Sequence, residues 1–198
     1  KLCPKFNGDL SHPGRLPRTS QGPVSARSVS NGSIYQIPLR QARVSIINRQ
    51  KVIRLSKTRL LRWTQKILES TGLKESSLSL VLVGDSEIRR YHRRFLGEDR
   101  ATDVLAFEPV ARKFVPRGDP SFLGDVLVSV ETARRMAPRF GNRWDEELLL
   151  YICHGILHLT GFKDSTPLEK ARMERKQKAV LQKVLGQRWQ SRKRKPLF

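Results

Sequence analysis

The stretch Trp144-Asp145-Glu146-Glu147-Leu148-Leu149-Leu150-Tyr151-Ile152-Cys153-His154-Gly155-Ile156-Leu157-His158-Leu159-Thr160-Gly161-Phe162-Lys163-Asp164 organises the rest of the chain. Leu148, Leu149, Ile152, Ile156, Leu157 and Leu159 recur at helical spacing, so Trp144 to Thr160 reads as a helix with a buried face. Within that apolar run His154 and His158 stand at i and i+4, which puts both imidazoles on one side of a helix, one turn apart. Gly161 lets the chain leave the helix in a left-handed conformation, and Asp164 can then return to the same face. Two His and one carboxylate with a fourth position open form a catalytic zinc set.

A pair of His at this spacing also arises by chance on a polar helix face. Against that, the chain has only four His, two of them fall together in an apolar helix, and buried imidazoles need partners. A zinc peptidase shares the His-x-x-x-His spacing, but it needs Glu as general base directly after the first His, and Gly155 stands there. Cys153 reads as a small buried side chain rather than a thiolate ligand.

Outward from this helix, strands and helices intermix. Val44, Ile46 and Ile47 suggest a short strand. Ser56 reads as the N-cap of a helix through Ser70, with Leu60, Leu61, Ile67 and Leu68 as its stripe and Gly72 as its stop. Ser79 to Gly84 reads as a buried strand, and Asp85 as the cap of a helix through Ile88 and Tyr91 to Phe95. Val104 to Phe107 and Leu123 to Ser129 are further strands, with a Pro- and Gly-bearing loop from Pro109 to Pro120. Glu131 to Arg139 and Pro167 to Leu185 read as helices, the second closed by Gly186. The class is α+β (mixed α/β), a single domain with one small sheet of about four strands packed by about five helices, the metal-binding helix in the core.

Length and charge bound the function. The chain has 198 residues and a formal net charge of +21. Such a charge argues for a polyanionic partner, RNA or DNA before a membrane surface, since no basic amphipathic helix with an aromatic face stands out. No apolar run is long enough to cross a bilayer, and two cysteines cannot make a disulfide scaffold. Residues 1–42 hold many Pro, Gly and Ser with Asp9 as the only acid, and read as a disordered basic arm. Residues 43–187 form the domain, and residues 188–198 a basic tail. With 7% aromatic residues an RNA-recognition platform of stacked aromatics is not expected.

At this point the sequence resembles the YbeY endoribonucleases, the rRNA maturation factors. The family pattern H-G-x-L-H-L-x-G-[YF]-x-H is matched by His154, Gly155, Leu157, His158, Leu159, Gly161 and Phe162, with Asp164 in the column of the last His. Phe95-Leu96-Gly97-Glu98-Asp99-Arg100-Ala101-Thr102-Asp103-Val104-Leu105-Ala106-Phe107 resembles the family's R-G-x-D-x-P-T-D-V-L-S-F segment, and Leu123-Gly124-Asp125-Val126 its L-G-D-I strand. The similarity spans roughly Val44 to Leu185.

The resemblance implies a zinc-dependent, single-strand-specific endoribonuclease acting in late small-subunit rRNA 3′-end maturation and ribosome assembly. It implies one zinc per chain on His154, His158 and Asp164. The carboxylate of Asp164 would leave the ion a weaker Lewis acid than three His. Implied partners are rRNA and the small ribosomal subunit, a small-subunit ribosomal protein and the GTPase Era, with no membrane. Leu96 stands where the family has an Arg associated with catalysis. Arg93, Arg94 or Arg100 would then take the phosphate contacts, or else form a solvated helix face. Thr102, Asp103, Gly124 and Asp125 are expected to shape the floor of the site, Asp125 in a structural role, and His92 to lie on the surface. The alternative is a ribosome-assembly factor that keeps structural zinc with weak or no nuclease activity. A metal-dependent hydrolase acting on something other than RNA fits the charge less well. The expected compartment is the cytoplasm, or a mitochondrion or chloroplast should the arm be a transit peptide.

Overall fold

The computed structural model describes residues 42–109, 122–186 and 189. The expected basic arm, the loop to Pro120 and the tail lie almost wholly outside the described residues.

Nine elements follow one another in the described chain: β1 (Arg43–Asn48), α1 (Lys57–Ser70), β2 (Ser77–Val83), α2 (Asp85–Leu96), β3 (Val104–Phe107), β4 (Phe122–Ser129), α3 (Val130–Phe140), α4 (Trp144–Leu159) and α5 (Pro167–Leu185). The strands form one sheet in the order β1-β2-β4-β3. The first three run parallel, and β3 runs antiparallel to β4. This is the α+β domain expected from the sequence.

Alternation along the central strands assigns the two faces. Leu78, Leu80 and Leu82 of β2 and Val126 and Val128 of β4 join α1, α3, α4 and α5 in the main core. Val81 and Val83 of β2 and Leu127 of β4 point the other way, onto Ile88 of α2 and Leu105 of β3. Four helices therefore cover one face and α2 the other. The larger face contains α4, with Leu148, Leu149, Ile152, Ile156 and Leu157 at most 1% exposed.

The helix ends follow from local chemistry. Ser56 caps α1 through its Oγ, which accepts the Arg59 N–H. Thr166 and Glu169 close a reciprocal capping box on α5, with Pro167 in the first turn. Asp145, Glu146 and Glu147 fill the first turn of α4, where the helix dipole favours negative charge. Glu146 reaches back to the Arg143 N–H.

Asp85 departs from its expected role. Gly84 is the N-cap of α2 and Asp85 its first helical residue. The Asp85 carboxylate instead accepts from Ser129, Thr132 and Arg135, tying α2 to the start of α3. These bonds outweigh burial and hold the carboxyl below its usual range. His92 also departs, because it is fully buried in α2. Its Nδ1–H donates to the Arg100 carbonyl at 2.8 Å and anchors the loop that leads into β3.

Candidate metal centre

The last turn of α4 builds the site. Gly161 adopts φ 89°, Phe162 N–H bonds the Leu157 carbonyl at 3.1 Å, and Gly161 N–H bonds the His158 carbonyl at 2.9 Å. These two bonds are a Schellman motif, which satisfies the carbonyls the helix end leaves open and folds the chain back over its own terminus. The reversal has two consequences. It places the Phe162 carbonyl 3.0 Å from His158 Nδ1, and it returns Asp164 to the histidine face.

Three ligand-type atoms converge there. His154 Nε2 and His158 Nε2 are 3.1 Å apart. The Asp164 carboxylate lies 3.5 Å from His154 Nε2 and 3.9 Å from His158 Nε2. Donors on a tetrahedral zinc, each about 2.0 Å from the ion, are separated from one another by about 3.3 Å. The observed spacings fit that set with small adjustments.

The protonation pattern supports the same conclusion. A main-chain carbonyl only accepts, so His158 Nδ1 carries a hydrogen, and the lone pair of neutral His158 sits on Nε2. His154 Nδ1 faces the Oε1 of Gln177, on α5, at 3.2 Å. With both Nδ1 atoms committed outward, the Nε2 lone pairs face each other and the carboxylate, and a cation between them relieves the repulsion. The His158 side chain is only 9% exposed. Its burial first, and then the neighbouring His154, push its pKa down to about 4, which keeps the ring neutral and ready to donate a lone pair. Asp164 is held well below the usual carboxylate range, chiefly by the adjacent His154 ring. The side chains of His154 and Asp164 are 23% and 21% exposed, so the cluster is open to solvent on one side.

The other expected site residues are distributed unevenly. Cys153 is buried with its thiol pushed up to about 12 by desolvation, in keeping with a packing role. Gly124 packs against the Phe107 carbonyl and the Leu159 side chain at the end of α4. Asp125 does not join the His face. It is paired with Phe107 and Ser79 and shares the sheet face of Leu127, turned toward α2 and away from α4. Burial raises its pKa, while a bond with Ser79 works against that rise. Strand alternation is the reason: the residue after Gly124 must point to the opposite face.

Asp103 Oδ1 accepts from the Thr102 hydroxyl and the Val104 N–H, a local turn before β3. Arg93 and Arg94 belong to α2 on the far face. Arg93 lies 3.9 Å from Asp99, and Arg94 stacks over Phe95. Arg100 pairs with Glu98 at 2.8 Å. Leu96 packs at the edge of the smaller core.

The residue that sequence reasoning missed is Gln177. The apolar stripe of α5 runs Met173, Val180, Leu181 and Val184, and Gln177 is the one carboxamide on that stripe, 9% exposed. A lone amide at a core position of an amphipathic helix was the available signal.

The match to known proteins agrees with this geometry. Residues 45–185 match the family model described as "Endoribonuclease YbeY". The chain belongs to the YbeY endoribonuclease family. Among its relatives, the Endoribonuclease YbeY of Geobacter metallireducens is 37% identical over 140 residues, covering 70% of this chain and 93% of that protein. The protein of that name from Geobacter sulfurreducens is 39% identical over 142 residues, with the same coverage of both chains. The solution structure of TM1509 from Thermotoga maritima superimposes with a TM-score of 0.50 at 26% identity, covering 74% of this chain and 91% of the other. As a YbeY protein the chain is a metal-dependent endoribonuclease, a hydrolase of phosphodiester bonds.

Proposed function

We propose that this YbeY protein is a zinc-dependent, single-strand-specific endoribonuclease that acts in 3′-end maturation of small-subunit rRNA, with the small ribosomal subunit as its working surface. The observation that carries the proposal is the convergence of His154 Nε2, His158 Nε2 and the Asp164 carboxylate, with both Nδ1 atoms tied back. Those three residues would hold the ion, one per chain. Bound there, zinc supplies Lewis acidity for a phosphodiester oxygen and lowers the pKa of a coordinated water.

The chain's own residues set the rest. His158 stays neutral through burial and the neighbouring His154, and the Phe162 carbonyl fixes its hydrogen on Nδ1, so it offers a lone pair rather than a proton. Asp164 brings one negative charge, leaving a divalent site with a net charge of about +1 to meet an anionic phosphate. Lys163, next to Asp164 in the chain, is exposed.

Support for an RNA substrate comes from the charge distribution. Between β1 and α2, Arg49 pairs with Glu87 and Arg89 with Asp99. On α5, by contrast, Lys170, Arg172, Arg175, Lys176, Lys178 and Lys183 form no ion pair among the described residues. An uncompensated row of cations favours sequence-independent contact with phosphates. In the described chain no helix is long and apolar enough to cross a membrane. A small-subunit ribosomal protein and the GTPase Era complete the proposed partner set.

The second reading, an assembly factor that keeps structural zinc without cleaving, is favoured by one observation. Leu96 supplies no charge where the family pattern has Arg. The deciding experiment measures metal content and cleavage of an RNA carrying the 3′ end of small-subunit rRNA, for wild type, His154→Ala and Asp164→Ala. About one zinc per chain and metal-dependent cleavage, both lost in the variants, are expected. Zinc without cleavage would establish the assembly-factor reading.

A further inference from the structure

Gln177 is buried on the core stripe of α5, where its neighbours are Met173, Val180, Leu181 and Val184. Burying a glutamine costs rotamer freedom and hydration, so it persists only with a partner. The partner is His154 Nδ1, 3.2 Å from Oε1. The two histidines of the site differ in this respect. His158 faces a main-chain carbonyl, which can only accept, so its tautomer is fixed by the backbone. His154 faces a carboxamide, which can present either a carbonyl oxygen or an NH2 group to the ring.

The orientation decides what His154 can do. With Oε1 toward the ring, Nδ1 carries a hydrogen and Nε2 is left to the ligand cluster. With the NH2 group toward the ring, Nδ1 must be bare, and in neutral His154 the hydrogen sits on Nε2, blocking coordination. The carbonyl oxygen Oε1 is the end of the amide that faces the ring, 3.2 Å from Nδ1.

We infer that Gln177 is a positioning residue, whose carbonyl holds His154 in the tautomer that presents Nε2 to a metal ion while adding no charge to the site. This inference rests on the metal centre proposed above. Through Gln177, α5 takes part in that centre without contributing a ligand. Neutrality matters because Asp164 already brings one negative charge. A carboxylate at position 177 would cancel the remaining positive charge of a divalent site, which an anionic phosphate needs.

The test uses the full chain with zinc as the probe, in competition with a chromophoric chelator, for wild type, Gln177→Leu and Gln177→Glu. Gln177→Leu, which keeps the burial but removes the acceptor, is expected to weaken zinc binding by about 10–100-fold. Gln177→Glu is expected to restore binding to the wild-type level or above it, while its RNA cleavage stays below wild type.

A readout that needs no metal accompanies this. The imidazole nitrogen shifts of the metal-free wild type should show His154 protonated at Nδ1. Zinc affinity in Gln177→Leu equal to wild type, or a bare Nδ1 in the metal-free wild type, would overturn the inference. A protonated Nδ1 in a wild-type protein that takes up no zinc would support the hydrogen bond and overturn the metal centre. Should Gln177→Leu not fold, Gln177→Glu and the wild-type nitrogen shifts decide.

Discussion

Gly155 of α4 lies directly against Val126 of β4: a Cβ added at Gly155 would come within 2.7 Å of a Val126 methyl carbon and 2.9 Å of a Val104 methyl carbon. The glycine lets the histidine helix settle onto the sheet between the two ligands His154 and His158. Gly155→Ala would gain about 1 kcal/mol of helix propensity. It would also force an overpacking cost of about 1–3 kcal/mol on two β-branched neighbours that cannot rotate away. The variant is expected to unfold at lower denaturant than wild type, by chemical denaturation, and to bind zinc more weakly. A midpoint at or above wild type would show that α4 can lift off the sheet at no cost.

Acidification should destabilise the metal-free protein. His158 has a folded pKa of about 4 against an ordinary 6.5. The unfolded chain therefore binds more protons between those values, and stability falls as pH drops from 6.5 toward 4. Asp164, held low in the fold, adds a loss at still lower pH, as the carboxylate protonates. Across that pH window folded His158 stays neutral, so loss of zinc through this ligand should begin only as pH approaches about 4, where a proton competes for the ring. In His158→Asn the acid limb of the stability profile should flatten over that window, as followed by denaturant titrations at several pH values. A limb unchanged in the variant would place the titration elsewhere.

The α5 cations should show in the salt dependence of RNA binding. Replacing Arg172, Arg175 and Lys178 with Ala should reduce the slope of log K against log salt by about 0.7 for each phosphate contact removed from a single strand. It should leave zinc content unchanged, since none of the three belongs to the ligand cluster. An unaltered slope would assign the RNA-binding charge to another surface.

His92 offers a test of the α2–β3 loop. Its replacement by Phe removes the hydrogen bond to the Arg100 carbonyl and puts a larger ring in a fully buried position, and should cost about 1–3 kcal/mol. Loss of protection from hydrogen exchange in the loop before β3 is the expected signature. Equal stability would mean that the carbonyl finds another partner.

Much of the fold was legible because its signals are local. The α4 stripe, the Ser56 cap and the apolar runs of β2 and β4 each follow from residues a few positions apart. The pairing of His154 with His158 and the turn at Gly161 were readable for the same reason: helix geometry alone converts their spacing into a shared face. Asp85 and Asp125 were misread because their partners come from afar. Ser129 and Thr132 reach Asp85 across more than forty residues of sequence, and strand register turns Asp125 toward α2.

The sequence by itself thus determined the α+β class, the histidine helix and the candidate ligands His154, His158 and Asp164. All of these rest on interactions within one element or one turn. Only the tertiary structure decided that α2 packs on the face away from α4, that His92 is buried, and that α5 brings Gln177 to His154. Those outcomes depend on how elements distant in sequence pack. No periodicity encodes the place where a buried amide will meet a ring nitrogen.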